Sequence, residues 1–432
     1  MSRVLIRAGH ARARDSRLGT RAAVALAAAA AAFVSLARAC DPAAPAASCG
    51  FGGLCDAASR TCACRAEWSG NTNCTALNLG PARFDGIAFA GPSTNYSSWG
   101  GSPQCVFYTN ACWMAVARMA RNCGLDSWET NSEVVLARSP AVDGTYEAVQ
   151  TLLAPFAHNP TMHVLPNRSI VIAHIGQGVP NDGRPQISNC TNGTTPLGGA
   201  GRRRGGAGLG GDVGVLAGGQ RLGTPGAPLP PPNFLFLASG MPGDGSEWQV
   251  LNSSGGAWAD NNPALWIDPD NSSALLVYKV GCACPPPCSF CRQFGIATAP
   301  QWGGPYTDLG LIPVYGEDAY VWRDPLGTPG GGFHLLFQGG SYAPIYPQYT
   351  GHFHTAYSPD GISAWTVERF SPVMNTTIAL QSGGQLSLGR RERHQLVMDT
   401  ATGAPAFLFN GATLAGDTSD DRTFTVVQPI VH

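Results

Sequence analysis

The sequence predicts a mostly β protein: a five-bladed β-propeller preceded by a small disulfide-rich module. Three observations predict it. Glycine (55 residues) and proline (34) are abundant among the 432 residues, which favours turns and short strands over long helices. A degenerate strand–turn–strand unit recurs along most of the chain. Six cysteines crowd into residues 40–74.

The first 39 residues read as a signal peptide. Arg3, Arg7, Arg12, Arg14, Arg17 and Arg21 precede an apolar run over 22–36, and Ala37-Arg38-Ala39 supplies a small-x-small cleavage pattern. An uncleaved signal anchor and an organellar transit peptide are the competing readings. The apolar run is short for a membrane span, and no second run is long enough for one. Fourteen cysteines fit an oxidising compartment. Sequons at Asn73, Asn95, Asn167, Asn189, Asn192, Asn252, Asn271 and Asn375 suggest surface glycans. The expected location is extracellular. Lys and Arg (27) balance Asp and Glu (28), so nothing in the charge calls for nucleic acid or an anionic membrane as partner.

Residues 40–76 form the cysteine module, with Cys40, Cys49, Cys55, Cys62, Cys64 and Cys74. Six cysteines allow fifteen pairings, and zinc competes with disulfides. The Cys62-Ala63-Cys64 step, the glycines at 50, 52 and 53 and the Trp68-Ser69-Gly70 turn resemble the EGF-like family. That resemblance implies Cys40–Cys55, Cys49–Cys62 and Cys64–Cys74. It also implies a protein partner for the module, against the alternative of a spacer or plug. The acidic residues of the calcium-binding subtype are not matched.

Residues 77–432 carry the repeat. One half starts with a polar pair and runs through a turn into an apolar strand: His158-Asn159-Pro160 into 169–174, Asn261-Asn262-Pro263 into 274–280, Glu317-Asp318-Ala319 into 333–338, and Glu392-Arg393-His394 into 406–410. The other half is a small residue, a Gly turn and an aromatic: Ser139 to Tyr146, Ser239 to Trp248, Ala299 to Tyr306 and Ser358 to Trp365. Four short strands at such a period mean a β-propeller, because each blade buries its faces only against its neighbours. An unpatterned unit over about 95–146 makes the fifth blade. Within it, 111–122 has helical periodicity but sits where strands belong, so it is assigned to the blade. Residues 181–232, rich in Gly, Pro, Ala and Arg, form a disordered insertion outside the repeat. A flexible surface loop, an anionic-ligand site at Arg202–Arg204 and translated non-coding sequence are the readings of it. Residues 281–292 form a Cys-rich loop whose cysteines at 282, 284, 288 and 291 are read as disulfides, with zinc as the alternative.

The stretches FAHNP (156–160), DNNPALW (260–266), GEDAYVWRD (316–324), GHFHTAYSPDG (351–361) and RRERHQLVMD (390–399) resemble the family 43 glycoside hydrolases, the arabinanase and β-xylosidase group, in an algal and protist branch. The resemblance implies a secreted protein that cleaves an extracellular glycan with two carboxylates, one kept protonated as acid. Residues at the blade starts converge on one funnel, so Glu317, Asp318, Glu392 and Asp260 are the candidate catalytic groups. His158, Asn159, Asn262, His354 and Trp266 are the candidate sugar contacts. No cofactor is required, although similar hydrolases hold calcium or water at the axis.

The match is partial. Amides stand at 159 and 262 where acids are expected, and no acid occurs over 97–101. The alternative is a non-catalytic carbohydrate-binding or adhesion protein. In that reading Glu317 and Glu392 pair with Arg323, Arg391 or Arg393, Asp318 and Asp324 cap turns, and Trp99, Trp266 and Trp322 wedge between blades. The histidines at 158, 334, 352, 354 and 394 then serve as hydrogen-bonded structural groups.

Overall fold

The computed structural model describes residues 40–41, 49–70, 73–91, 94–106, 111–167, 169–176, 178, 187–190, 228–229, 233–237, 250–254, 262–281, 292–324, 331–339, 352–368, 373–417 and 422–432. The signal segment, the Cys-rich loop with its four cysteines, Asp260, the Ser239–Trp248 turn and nearly all of the 181–232 insertion lie outside these residues.

The strands form antiparallel sheets that succeed one another along the chain. The first sheet runs Ser98–Val106, Ala111–Met119, Ser132–Ser139 and Glu147–Leu153. The second runs Ala157–Val164, Ile170–Gly176, Asn233–Leu237 and Val250–Ser254, and the third Ala264–Ile267, Ala274–Gly281, Arg292–Ala299 and Tyr306–Tyr315, with Pro228–Leu229 added at its outer edge. The fourth runs Glu317–Asp324, Gly332–Gly339, His352–Ser358 and Thr366–Val367. The last sheet orders Thr377–Ala379, Gln385–Met398, Pro405–Leu414, Phe424–Pro429 and Ile87–Phe89, so a strand from early in the chain completes it. The inner strand of each sheet touches the inner strand of the next, and Gln385–Met398 touches Ser98–Val106. The result is a propeller-like ring.

The core lies between the sheets. Successive residues of one strand point to opposite faces. Ile170 and Ile172 therefore pack against Trp113 and Leu136 of the first sheet, while Val171 and Ala173 pack against Leu276 and Tyr278 of the third. Leu275 and Val277 face Leu335 and Phe337, and Met114 and Val116 face Phe409 and Val427. A strand covered on both faces needs no polar alternation. That explains why Ala111–Met119, nearly all buried, shows no strand alternation; it is a strand of the first sheet, as its assignment to the blade expects, despite its helical periodicity. By contrast Tyr306–Tyr315, covered on one face, alternates buried and exposed along its length.

The turns between third and fourth strands of the first, third and fourth sheets share one device. An aromatic donor closes each by bonding a carbonyl four residues back: Tyr146 to Val142, Tyr306 to Trp302 and Trp365 to Gly361. This is the physical content of the small–Gly–aromatic half of the repeat.

Register fixes where the other connections go. Ser98 opposes Arg118, and Met119 opposes Ser132, so the link between second and third strands lies at the end where the inner strand begins. The same holds where the chain leaves Gly281 and re-enters at Arg292. We call that end the funnel face.

The cysteine module pairs as Cys40–Cys55, Cys49–Cys62 and Cys64–Cys74. Two further disulfides, Cys105–Cys112 and Cys123–Cys190, had no signal in the spacing. The module is seated on the fourth and last sheets. Trp68 and Leu77 enter a core with Trp322, Leu336, Phe353 and Leu408. Phe51 stacks on Tyr357 at 5.3 Å. Arg65 Nη1 lies 2.5 Å from Asp324, which also meets His334 Nε2 at 3.3 Å. Asp324 thus joins module to sheet where the sequence suggested a turn cap. Trp68→Ala should cost about 3–5 kcal/mol of stability, measured by urea denaturation, because a 3 % exposed indole leaves a cavity. A spacer module would show almost no change.

Candidate polar site at the axis

Four of the five inner strands break their ladders, and Ala264–Ile267 pairs without a break. The register shifts between Trp99 and Gly101, His158 and Thr161, Glu317 and Tyr320, and Glu392 and Gln395. At each break one residue takes the left-handed conformation: Gly100 (φ 56°), Asn159 (φ 50°), Asp318 (φ 55°) and Arg393 (φ 52°). Asn262 (φ 42°) holds the equivalent place before Ala264–Ile267. A bulge bends its strand and re-aims a side chain. Left-handed Asn and Asp are the least costly non-glycine choices, whereas arginine there needs strong support from its surroundings.

That support is visible. Asn159 Nδ2 donates to Asn262 Oδ1 at 3.0 Å, and Asn262 Nδ2 donates to Asp318 Oδ1 at 2.9 Å. All three side chains are buried. From the last sheet, Arg393 Nη2 donates to the Asn159 carbonyl at 2.7 Å and to Thr161 Oγ1 at 3.1 Å. Its aliphatic stem crosses Gly100: a Cβ at that glycine would lie 2.1 Å from Arg393 Cγ. The first sheet offers no side chain at its bulge, and Arg393 fills the place. Burial depresses the Arg393 pKa, and the charge of Asp318 works against that depression.

The glutamates one residue upstream are ion-paired. Glu317 meets Arg292 in a close contact and Lys279 Nζ at 3.7 Å. Glu392 is held by Arg390 through two bonds, Nε to Oε1 at 2.9 Å and Nη2 to Oε2 at 2.6 Å. Arg390 in turn lies over the Trp99 ring, 4.9 Å from its centroid. The partners differ from those the sequence suggested, because Arg391 and Arg393 turn inward. Arg391 bonds Asn410, Gln428 and the Asn375 carbonyl, and burial lowers its pKa to about 9.

His158 sits beside this ring. Its Nδ1 is 2.6 Å from Ser132 Oγ, and Trp128 tilts over its imidazole at 5.1 Å. Burial, then Arg393 and Lys279, push its pKa down to about 3. His354 packs on Phe337, and His394 bonds Asn410 through Nδ1 and meets Phe353 edge-on. Trp266 lies edge-on to Phe333, between the third and fourth sheets. His334 stacks on Trp322 near the cysteine module. Of the sequence candidates, the structure brings together His158, Asn159, Asn262, Glu317 and Asp318. It places Trp266 between sheets. Lys279, Arg292 and Trp128 were not anticipated, and neither was the pairing of Gly100 with Arg393. The last was detectable, because Gly100 holds the repeat position filled elsewhere by Asn, Asp or Arg.

No protein-family model matches the chain, and no curated protein matches it. Among solved structures it is similar to a family 117 glycoside hydrolase of the marine bacterium Zobellia galactanivorans, at 12 % identity and a TM-score of 0.45, covering 82 % of this chain and 89 % of that one. It is similar to a GH43_12 protein retrieved from capybara gut metagenome, at 11 % identity and 0.46, covering 81 % and 53 %. A third is the GH93 alpha-L-arabinofuranosidase of Fusarium graminearum, in complex with arabinobiose, at 11 % identity and 0.40, covering 81 % and 98 %.

Two measurements test the ring. Gly100→Ala should lower stability by about 2–4 kcal/mol, since it adds both a left-handed alanine and a clash with Arg393. Burial also holds His174 at about 4 and His394 well below the ordinary imidazole range. With His158 they are neutral when folded and take up protons near pH 6.5 when unfolded. Their contribution is full above about pH 6.5 and is lost as the pH falls toward about 4. Unfolding at pH 4.5 should need markedly less urea than at pH 7, and equal midpoints would contradict neutral burial.

Proposed function

We propose that this chain is a secreted glycan-binding protein built like a glycoside hydrolase propeller, with five blades and an EGF-like module at its N-terminal side, whose inner-strand carboxylates serve structure and ligand contact rather than hydrolysis. The observation that carries this reading is the state of those carboxylates. A glycosidase needs one carboxyl that holds and releases a proton and a second as base or nucleophile. Glu317 is committed to Arg292 and Lys279, Glu392 to Arg390, and Asp318 to Asn262 within reach of the Arg393 charge. The first sheet contributes Gly100 where the resembling family carries an acid.

The glycan class rests on the family resemblance at the strand starts and on the polar side chains that meet near the axis. Secretion is supported by the five disulfides among the described residues. No described helix is long and apolar enough to cross a membrane. We assign no calcium to the axis. Calcium takes six to eight oxygen ligands, whereas here Asn159 Oδ1 is the one buried amide oxygen of the Asn159–Asn262–Asp318 chain left without a partner, and a guanidinium lies beside it. A protein partner for the cysteine module would have to use surface other than Phe51 and Trp68, which are buried against the ring.

A polysaccharide retention screen run beside an aryl-glycoside assay tests the proposal. Retention without turnover is expected, and Glu317→Gln should leave the absence of turnover unchanged. Turnover by the wild type that disappears in Glu317→Gln would establish a hydrolase instead.

A further inference from the structure

We infer that Trp128 is the stacking platform of the glycan site, presenting an indole face to the C–H face of a sugar ring. This rests on the glycan-binding reading above. Trp128 belongs to the link between the second and third strands of the first sheet, which register places on the funnel face. It opens the short helix Trp128–Asn131, and its ring tilts over His158 at 5.1 Å. The indole is half-buried, packed against the cluster of Trp99, Met119 and Leu125, whereas Trp99 is 3 % exposed beneath Arg390, Trp322 is 4 % exposed in the module core, and Trp266, also half-buried, lies between the third and fourth sheets on Phe333. An aromatic surface beside buried polar groups is the usual build of a small-ligand site.

The platform is held rigidly. Cys123–Cys190 ties its segment to residues 187–190. Asn131, fully buried, donates from Nδ2 to the Ser188 carbonyl at 2.8 Å and accepts from Ser188 N at 3.1 Å. Ser127 Oγ closes the preceding turn onto the Gly124 carbonyl at 2.7 Å. Beneath the indole, the Ser132 hydroxyl fixes the His158 ring. A preordered aromatic loses little conformational entropy when it binds.

The test is affinity electrophoresis of the full chain in gels cast with arabinan, xylan or agar. Thermal midpoints are measured in parallel. Wild-type retardation by one of these, reduced about tenfold in Trp128→Ala and largely kept in Trp128→Phe, supports the platform. Should Trp128→Ala fail to fold, Trp128→Leu keeps the bulk without the π face and decides in the same way. Equal retardation of wild type and the alanine or leucine variant overturns the platform while leaving glycan binding intact. A wild type that none of the glycans retards overturns the glycan reading and this inference with it.

Discussion

One arginine crossing one glycine sets the geometry of the axis. Burying a guanidinium costs several kcal/mol unless hydrogen bonds replace its water. Arg393 recovers part of that at the second sheet, through the Asn159 carbonyl and Thr161, and part from the charge of Asp318. It reaches them because Gly100 leaves the first sheet bare at its bulge. The last, second and fourth sheets are thereby tied through a single polar cluster, with the first sheet as the notch.

The ring is closed twice, by different physics. On the inside, polar side chains bond across the axis. On the outside, Ile87–Phe89 pairs with Phe424–Pro429, and the cysteine module fills the seam between fourth and last sheets with Trp68 and Leu77. The module is too small to bury much of its own surface, so its crosslinks and its docking share the work of ordering it.

Much of this was legible in the residues. The second strands and three of the closing turns were found by pattern, because two-faced burial demands apolar runs and each of these turns is closed by an aromatic donor. The three module disulfides are those that the resemblance to EGF-like modules implies. The first sheet was not patterned, since Ala111–Met119 is buried on both sides and Gly100 erases the polar start that marks the others. Ion-pair partners were misassigned for a related reason. In the run 390–393, strand alternation and a bulge decide which arginine faces Glu392, and bulges leave little trace in a single sequence. Lys279 and Arg292 come from neighbouring strands of the third sheet, flanking a loop, and no local motif links them to Glu317.

The position of the long connections has a thermodynamic side. The chain leaves the second sheet after Gly176 and returns at Asn233, which pairs directly with His174; Gly281 likewise pairs with Arg292 across the Cys-rich stretch. Each excursion therefore begins and ends on neighbouring strands whose spacing the sheet already fixes. The entropy of closing such a loop grows only with the logarithm of its length. Sequence can accumulate at the funnel face almost without penalty to the ring beneath, so the rim is free to diversify while the axis stays fixed.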